Sequence, residues 1–516
     1  MYLDKTHDPG RNRDIIIDYT GVQDLQQAVE ETEELFNRFK NKPAPARHTP
    51  MKGLKKLLSL FLIKAAHIRE TDWDSTQVDS GGRVFPKWKT ILDLEYQKLH
   101  SKITHEVYVT DYGAKGDGIT DCTEAFKKAI GKGNVKVIIP EGTFVTRGIK
   151  LPSWTIITGL GKGKSVLKLH PEAARSEWVV TNKNHFKGNR NIAVENVSLD
   201  WNAERLPPGI RTSAGNNRSS CLLFANVTYG WVRNTEGMNP GLHCFDISST
   251  IYTYLGDGTR SRGGSRYIWL DQLTGFGFGD DGITTHHSDD ILISNCHMCD
   301  PSGKAHKKGF SNSNGIEVDD GSRNVWLIDN STARCFGGVE IKAHHNASAA
   351  TNVCIIGHLS INDNRSFNFR HIGHHKAEDP ESLTAYNIKA TNLVSIAPVY
   401  SELYAGSKPR GMVISGYKNV AVNRFTLIGD PDYDYFGEPV ITVQYRARNV
   451  ILHSIEMREF KKAGKYIKVF GGEQRADSVY IKNVATDHVS DPILVGEEVA
   501  DIRIHNIEAR TDFIKA

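Results

Sequence analysis

Four short segments between residues 279 and 375 carry the side chains that could do acid–base chemistry. They read Gly-Asp-Asp-Gly-Ile-Thr-Thr-His-His at 279–287, Asn-Gly-Ile-Glu-Val-Asp-Asp at 314–320, Gly-Val-Glu-Ile-Lys-Ala-His-His at 338–345 and Phe-Asn-Phe-Arg-His at 367–371. Apolar residues alternate with polar ones: Ile316 and Val318 against Glu317 and Asp319, Val339 and Ile341 against Glu340 and Lys342. That period predicts strands with one buried and one solvent-facing side. Stacked in parallel about 4.8 Å apart, they would form two polar columns on one exposed strip. One holds Thr284, Glu317, Glu340 and Asn368, the other His286, Asp319, Lys342 and Arg370.

Ten of the 21 histidines fall in this stretch, including the pairs His286-His287, His344-His345 and His374-His375. Asp280, Asp281, Glu317, Asp319, Asp320 and Glu340 crowd the same place. Neighbouring carboxylates repel, which raises the pKa of at least one and equips it as a general acid. Lys342, Arg370 and the imidazoles can hold an anion or stabilise developing negative charge. Glu317, Asp319 and Glu340 are the acid/base candidates, with Asp281 and His286 assisting. Asp280, His287, Asp320, Lys342, His344, His345, Arg370 and His371 are the candidate substrate contacts. Such a mixed patch suits cleavage of an anionic polymer. Phosphodiester hydrolysis, glycoside hydrolysis by two carboxylates and elimination next to a uronic acid all stay open. No ligand motif compels a metal; a divalent cation at the carboxylates is the alternative to a cofactor-free site.

The elements that must position these groups are repeated. Strands of the form Asn-Val-x-Ile recur with first apolar positions at Ile192, Val227, Ile268, Ile291, Val325, Val353, Ile388, Val420, Val450, Val479 and Ile502. The intervals run from 23 residues (Ile268 to Ile291) to 41 (Val227 to Ile268), which is the period of a solenoid with insertions on one side. The longest interval contains a glycine-rich run at 256–265, expected as a mobile loop beside the groove. The run Gly159-Leu-Gly-Lys-Gly-Lys-Ser165 is one residue short of a phosphate-binding loop and reads as a turn between strands.

The first hundred residues are different. Residues 1–20 read as irregular. Val22, Leu25, Val29, Phe36 and Phe39 define an amphipathic helix over 21–42. A Pro-rich linker follows at 42–50, then a helix over 51–68 with Leu54, Leu57, Leu58, Phe61, Leu62 and Ala65 on its apolar side, a loop at 72–83 and a helix over 88–103. No catalytic constellation falls here, which leaves attachment or assembly.

Composition narrows the class. At 516 residues the chain exceeds one compact core. Its net charge of +4, from 64 Lys and Arg against 60 Asp and Glu, lacks the dense basic field of a nucleic-acid binder. The N-terminus has no basic run followed by an apolar one, so no secretory signal is expected, and no apolar run could insert in a membrane. The seven cysteines show no disulfide spacing, and Cys296-His-Met-Cys299 lacks the second pair a zinc site needs.

The segment Asp111-Tyr-Gly-Ala-Lys-Gly-Asp-Gly-Ile-Thr-Asp-Cys-Thr-Glu-Ala-Phe, with Pro140-Glu-Gly-Thr-Phe-Val after it, resembles the opening of pectate-lyase-superfamily right-handed parallel β-helices. The resemblance runs from about residue 107 onward and implies a mainly β, pectin-lyase-like fold. Within that superfamily the motifs at 279–288, 314–325 and 338–344 are similar to those of the pre-neck appendage proteins of small tailed phages of Gram-positive bacteria. This resemblance implies a homotrimeric virion spike that binds and degrades cell-wall teichoic acid. Its partners would be the host wall polymer and other phage tail proteins, the latter through the N-terminal region. Polygalacturonases share the Asp-Asp and Ile-Lys strands, but the Gly-His-Gly strand is missing and Glu340 stands where an Arg would precede Ile-Lys, so pectin hydrolysis is not expected. The expected organisation is a helical attachment region over 1–105 and a β-helix with the groove over 106–516. The solenoid pattern reaches the last residue, which would rest trimer formation on the β-helix sides and the N-terminal helices. A polysaccharide hydrolase or lyase, or a receptor-binding adhesin without catalysis, are the competing expectations.

Overall fold

Parallel strands wind through the computed structural model, which describes residues 1–39, 51–66, 74–374, 378–487, 491–510 and 513. The linker expected at 42–50, the end of the helix expected over 51–68, the start of the loop at 72–83 and His375 lie outside the described residues. One wall is a sheet of 12 strands, from Ile149–Leu151 to Ile493–Val495, and the remaining walls form a continuous sheet of 21 strands.

Each strand pairs in register with its counterpart one coil away, so like residues stack on like. Ile283, Ile316, Val339, Phe367 and Met412 are successive partners along the 12-stranded wall, and all are buried in the core. Burying one such side chain contributes about 1.5–3 kcal/mol. The column Ile268, Ile291, Val325, Val353, Ile388, Val420, Val450, Val479 and Ile502 also pairs as expected. Val227 does not belong to it. Gly230 is the residue that pairs with both Ile192 and Ile268. A Cβ on Gly230 would come within 2.9 Å of Ile268 and 3.0 Å of Phe224, so the coil is too tight there for the apolar residue the repeat leads one to seek.

Asparagines hold the corners. Asn352, Asn387, Asn419 and Asn449 adopt left-handed backbone, with φ of 55°, 66°, 58° and 53°. Each donates its side-chain amide to the carbonyl oxygen of the Asn one coil back, at 2.9–3.1 Å. Asn tolerates this conformation and supplies both donor and acceptor. Asn419→Ala removes two ladder bonds and imposes φ strain, and is expected to cost about 2–4 kcal/mol; Asn419→Gly should recover the backbone share in chemical denaturation.

The N-terminal helices lie along the flank of the larger sheet. Residues 1–20 are not irregular: α1 (Asn12–Thr20) ends at Gly21 in the left-handed conformation. Its Ile15 and Ile16 are buried with Ala333, Leu359 and Val394, a tertiary contact that overrides the poor helix propensity of three consecutive isoleucines. Asn12 donates to the carbonyls of Cys296 and Asp329. In α2 (Leu25–Asn37), capped by Asp24, Glu31 pairs with Arg424 and Glu33 with Lys389. The helix expected over 51–68 is shorter: α3 covers Gly53–Ser59, and Ile63–Ala65 is a strand paired antiparallel to Thr259–Ser261. Its expected buried side stays largely exposed, at Leu54, Leu57 and Phe61. In the loop expected at 72–83, Thr76–Val78 forms a short strand antiparallel to Val84–Pro86. In α4 (Lys89–Lys102), Tyr96 packs edge-on against Trp231 and donates to Glu195. The last α-helix among the described residues, α5, spans Thr123–Ile130.

Asp329 is sealed under α1. Burial pushes its carboxyl up to about 7, offset in part by Arg13. A raised folded-state pKa means stability is fully present below the unfolded value of about 4 and is lost as pH rises towards 7, at about 1.4 kcal/mol per pH unit. Asp329→Asn should therefore raise Tm at pH 8 and leave it nearly unchanged at pH 4.

Candidate active site

The outward column of the 12-stranded wall carries the predicted acids. Asp246, Thr284, Glu317, Glu340 and Asn368 are successive register partners, and the column turns apolar at Val413. Lys342 pairs with Arg370 in the second column. The site is thereby confined to a few coils.

The strip is not exposed. Relative accessibility is 2% at Glu317, 0% at Asp319, 0% at Glu340 and 3% at Lys342. Insertions roof it. Tyr252 lays its hydroxyl on His286 Nδ1 at 2.6 Å, Tyr254 meets the His344 ring edge-on, and His306 reaches Asp280 from residues 300–311. The glycine-rich insertion is also pinned rather than loose. Asp257 accepts hydrogen bonds from Ser382 Oγ and Leu383 N, and Arg260 is buried against Asp289.

Charge inside the roof is organised around one ammonium. Lys342 Nζ lies 2.6 Å from Glu317 Oε1 and 3.8 Å from Asp319 Oδ2. Asp281 joins the group through Asn314, whose amide donates to Asp281 Oδ1 and Glu317 Oε1, both at 3.0 Å. Asp281 also faces His243, and Asp319 faces His286 and His344, whereas Glu317 has, among the described residues, Lys342 alone as its cationic partner. Burial and the Asp281 charge push Glu317 well above the carboxylate range despite Lys342. Against the same burial, Lys342, His344 and His286 hold Asp319 well below it. Two adjacent carboxyls with pKa values driven apart are the pattern of an acid beside a base. Glu340 is held low, burial notwithstanding, by Arg370 and Lys342; its Oε1 accepts from Arg370 Nε and from Asn368. That ties Glu340 to positioning Arg370.

Imidazoles complete the set. Against the pull of burial, Asp246 and Asp319 lift His286 to about 10, and Asp246, Asp280 and Asp281 lift His243 well above its ordinary value. His344 Nδ1 lies 2.9 Å from Asp320, whose own pKa is raised by burial and by Asp319.

Of the predicted residues, Asp280, Asp281, His286, Glu317, Asp319, Asp320, Glu340, Lys342, His344 and Arg370 come together. Three do not. His287 is turned into the wall, where Nδ1 accepts from Ser261 N. His371 is buried with its Nε2 on Ala347 O and belongs with His374 and Asp257. His345 points to solvent. His286-His287 and His344-His345 follow the ends of their strands at Thr285 and Ala343, so strand alternation no longer sets their directions, and His287 turns aside through a left-handed backbone, φ 49°. Sequence reasoning missed His243, Asp246, Tyr252, Tyr254 and His306. Extending the Thr284 column one coil back through Phe-Asp-Ile-Ser at 245–248 finds Asp246, and the same offset sets His243 opposite Asp281; Tyr252, Tyr254 and His306 sit in insertions without period.

Among the described residues four triads bring ligand-type atoms within 4.8 Å of one another, and three of them fall in the site: His243/Asp280/Asp281, His286/Glu317/Asp319 and Asp319/Asp320/His344. In each a cationic side chain, Lys342 or a raised imidazole, already faces the carboxylates. The cysteines are buried free thiols, Cys296 and Cys299 included.

Fold and site together define a pectate-lyase-like β-helix protein with an acid–base groove. Residues 107–340 match the family model "Rhamnogalacturonase A/epimerase, pectate lyase-like". The chain belongs to the pre-neck appendage family of Bacillus phages. It is 42% identical over 429 residues to the pre-neck appendage protein of Bacillus phage phi29, covering 82% of this chain and 49% of that one. It is 48% identical over 455 residues to the phage-related protein YobO of Bacillus subtilis strain 168, covering 86% of this chain and 56% of that one. The crystal structure of the N-terminal fragment of phi29 gene product 12 superposes with a TM-score of 0.72 at 39% identity, covering 81% of this chain and 69% of the fragment. The chain thus spans about half the length of the curated relatives it matches. No helix among the described residues is long and apolar enough to cross a membrane.

Proposed function

We propose that this protein is a virion appendage that binds a teichoic acid of the host cell wall and hydrolyses its phosphodiester backbone. The observation that carries this reading is the join between acids and a basic surface. His306, 2.9 Å from Asp280, also lines a cavity of about 660 Å³ in which Arg211, Lys304, Lys308 and Arg334 outnumber Asp300, the partner of Arg334, and Glu402. A polyanion seated there enters the site past Asp280. Asp319 takes a proton from the attacking water and Glu317 gives one to the leaving alkoxide. Lys342 and Arg370 stabilise the phosphoryl oxygens. Reaching these groups requires the strap carrying Tyr252 and Tyr254 to lift.

A second reading is favoured by one feature. A cavity of about 420 Å³ beside the strap is lined by Trp178, His185, Tyr252 and Tyr254, flat faces suited to a sugar ring. Glycosidic cleavage would then use Glu317 and Glu340, register partners at the roughly 5 Å separation of retaining enzymes.

Incubation with purified glycerol- and ribitol-phosphate teichoic acids and with exopolysaccharides, followed by mass analysis of released fragments, tests the reading. Polyol-phosphate fragments are expected. Saccharide fragments move the assignment to glycoside hydrolysis, unsaturated ends make the protein a lyase, and retained but uncut polymer makes it an adhesin. For assembly we propose a homotrimer joined to other tail proteins through the N-terminal region, supported by the exposed Leu54, Leu57, Leu60 and Phe61 around α3. A monomeric mass at high concentration would contradict it.

A further inference from the structure

Carboxylates and imidazoles alternate in one line of close contacts through the site, hydrogen-bonded at His243–Asp246 and at His344–Asp320. His306 Nε2 lies 2.9 Å from Asp280 Oδ1, Asp280 Oδ2 lies 3.8 Å from His243 Nε2, and His243 Nδ1 lies 3.3 Å from Asp246 Oδ2. Asp246 Oδ1 lies 3.6 Å from His286 Nδ1, and His286 Nε2 lies 3.6 Å from Asp319 Oδ2. His344 Nδ1 closes the chain, 3.5 Å from Asp319 and 2.9 Å from Asp320.

The two ends meet solvent and the middle does not. The His306 and His344 side chains are 36% and 43% exposed, whereas His243 and His286 are at 5% and Asp246 at 0%. Both central rings turn each of their two nitrogens to a carboxylate, which is what an imidazole needs to accept a proton on one side and release one from the other. Asp246 Oδ1, Asp280 Oδ1, His306 Nε2 and both Asp319 oxygens are buried without a hydrogen-bond partner, so the contacts at His286 and His306 must reach hydrogen-bond geometry for a proton to pass. Other groups facing the chain are Asp281, 3.5 Å from His243, Lys342, 3.8 Å from Asp319, and Tyr252, whose hydroxyl sits on His286 Nδ1.

The geometry points to a proton relay from Asp319 through His286, Asp246 and His243 to Asp280 and His306. It rests on the catalytic reading above. Hydrolysis leaves Asp319 holding the proton taken from water and Glu317 lacking the one given to the alkoxide. While bound polymer covers the opening at His344, the relay passes the Asp319 proton to His306 and bulk water, and Glu317 regains a proton from bulk water once product leaves. His243 and Asp246 touch no substrate in this scheme; they are positioning and conducting residues.

The test compares wild type with His243→Asn and Asp246→Asn in the full chain. Both variants should lower kcat by at least about ten-fold with KM unchanged, a loss of acid–base size. The solvent deuterium effect on kcat should grow, and added imidazole buffer should restore part of the rate. A fall in kcat that buffer does not rescue, accompanied by a lowered Tm, would make these residues structural and overturn the relay. A readout independent of turnover is the imidazole ¹⁵N titration of His344 and His286, assigned with single His variants. His243→Asn should displace both curves, and superimposable curves would overturn the relay even if no polymer is cleaved. Wild type that cuts nothing, with displaced curves, would instead fault the catalytic reading.

Discussion

Lys342→Met is expected to destabilise the fold by about 3–5 kcal/mol and to abolish polymer cleavage. The ammonium is the cation common to Glu317 and Asp319, and all three side chains are at most 4% exposed. Removing the ammonium leaves the Asp319 carboxylate buried with less compensation beside Glu317, which costs far more than losing an exposed pair would. The pH dependence follows from Asp319, whose folded pKa is depressed. Its contribution is present above the unfolded value of about 4 and is lost as pH falls through the folded value. The gap in Tm between wild type and Lys342→Met should therefore be widest near neutral pH and shrink below about pH 4. An equal gap at pH 7 and pH 3 would mean that Lys342 stabilises by packing its methylenes.

Glu317→Gln should show the reverse balance, with turnover reduced about 10²–10⁴-fold and stability changed by less than about 1 kcal/mol. Glu317 is held protonated, so a neutral amide of the same shape replaces a neutral acid. Thr284 Oγ1, which meets Glu317 Oε2 at 3.0 Å, can accept as well as donate. Asp319→Asn is the contrast. It removes the anion against which His286, Lys342 and His344 are balanced, and should cost about 3–5 kcal/mol along with activity. Thermal denaturation and fragment release on the same three samples separate the two carboxyls. Equal destabilisation by Glu317→Gln and Asp319→Asn would remove the assignment of Glu317 as the proton-bearing acid.

The pairing of Glu317 with Glu340 and of Lys342 with Arg370 was legible because a parallel, in-register solenoid turns a period of two along the chain into columns across it. The same rule, applied from Thr284 back to Asp246, would have reached the middle of the imidazole chain. It failed at Gly230, where close packing against Ile268 and Phe224 demanded a residue with no apolar signature. It also failed at α1, where Ile15 and Ile16 fit a surface made by Ala333, Leu359 and Val394, residues more than three hundred positions away.

The sequence by itself determined the coil register, the buried columns and which acids and bases share a wall, since these depend on local alternation repeated at nearly constant intervals. Tertiary structure alone decided that the wall is roofed, that Lys342 is the cation shared by Glu317 and Asp319, and that His287, His345 and His371 stand apart. Those outcomes depend on where insertions fold back: Tyr252 and Tyr254 over His286 and His344, His306 onto Asp280, Asp257 onto residues 382–384. An insertion has no period to read, and its resting place is set by the surface it finds. Burial then fixes the charge states, because the same carboxyls on an open strip would ionise alike in water.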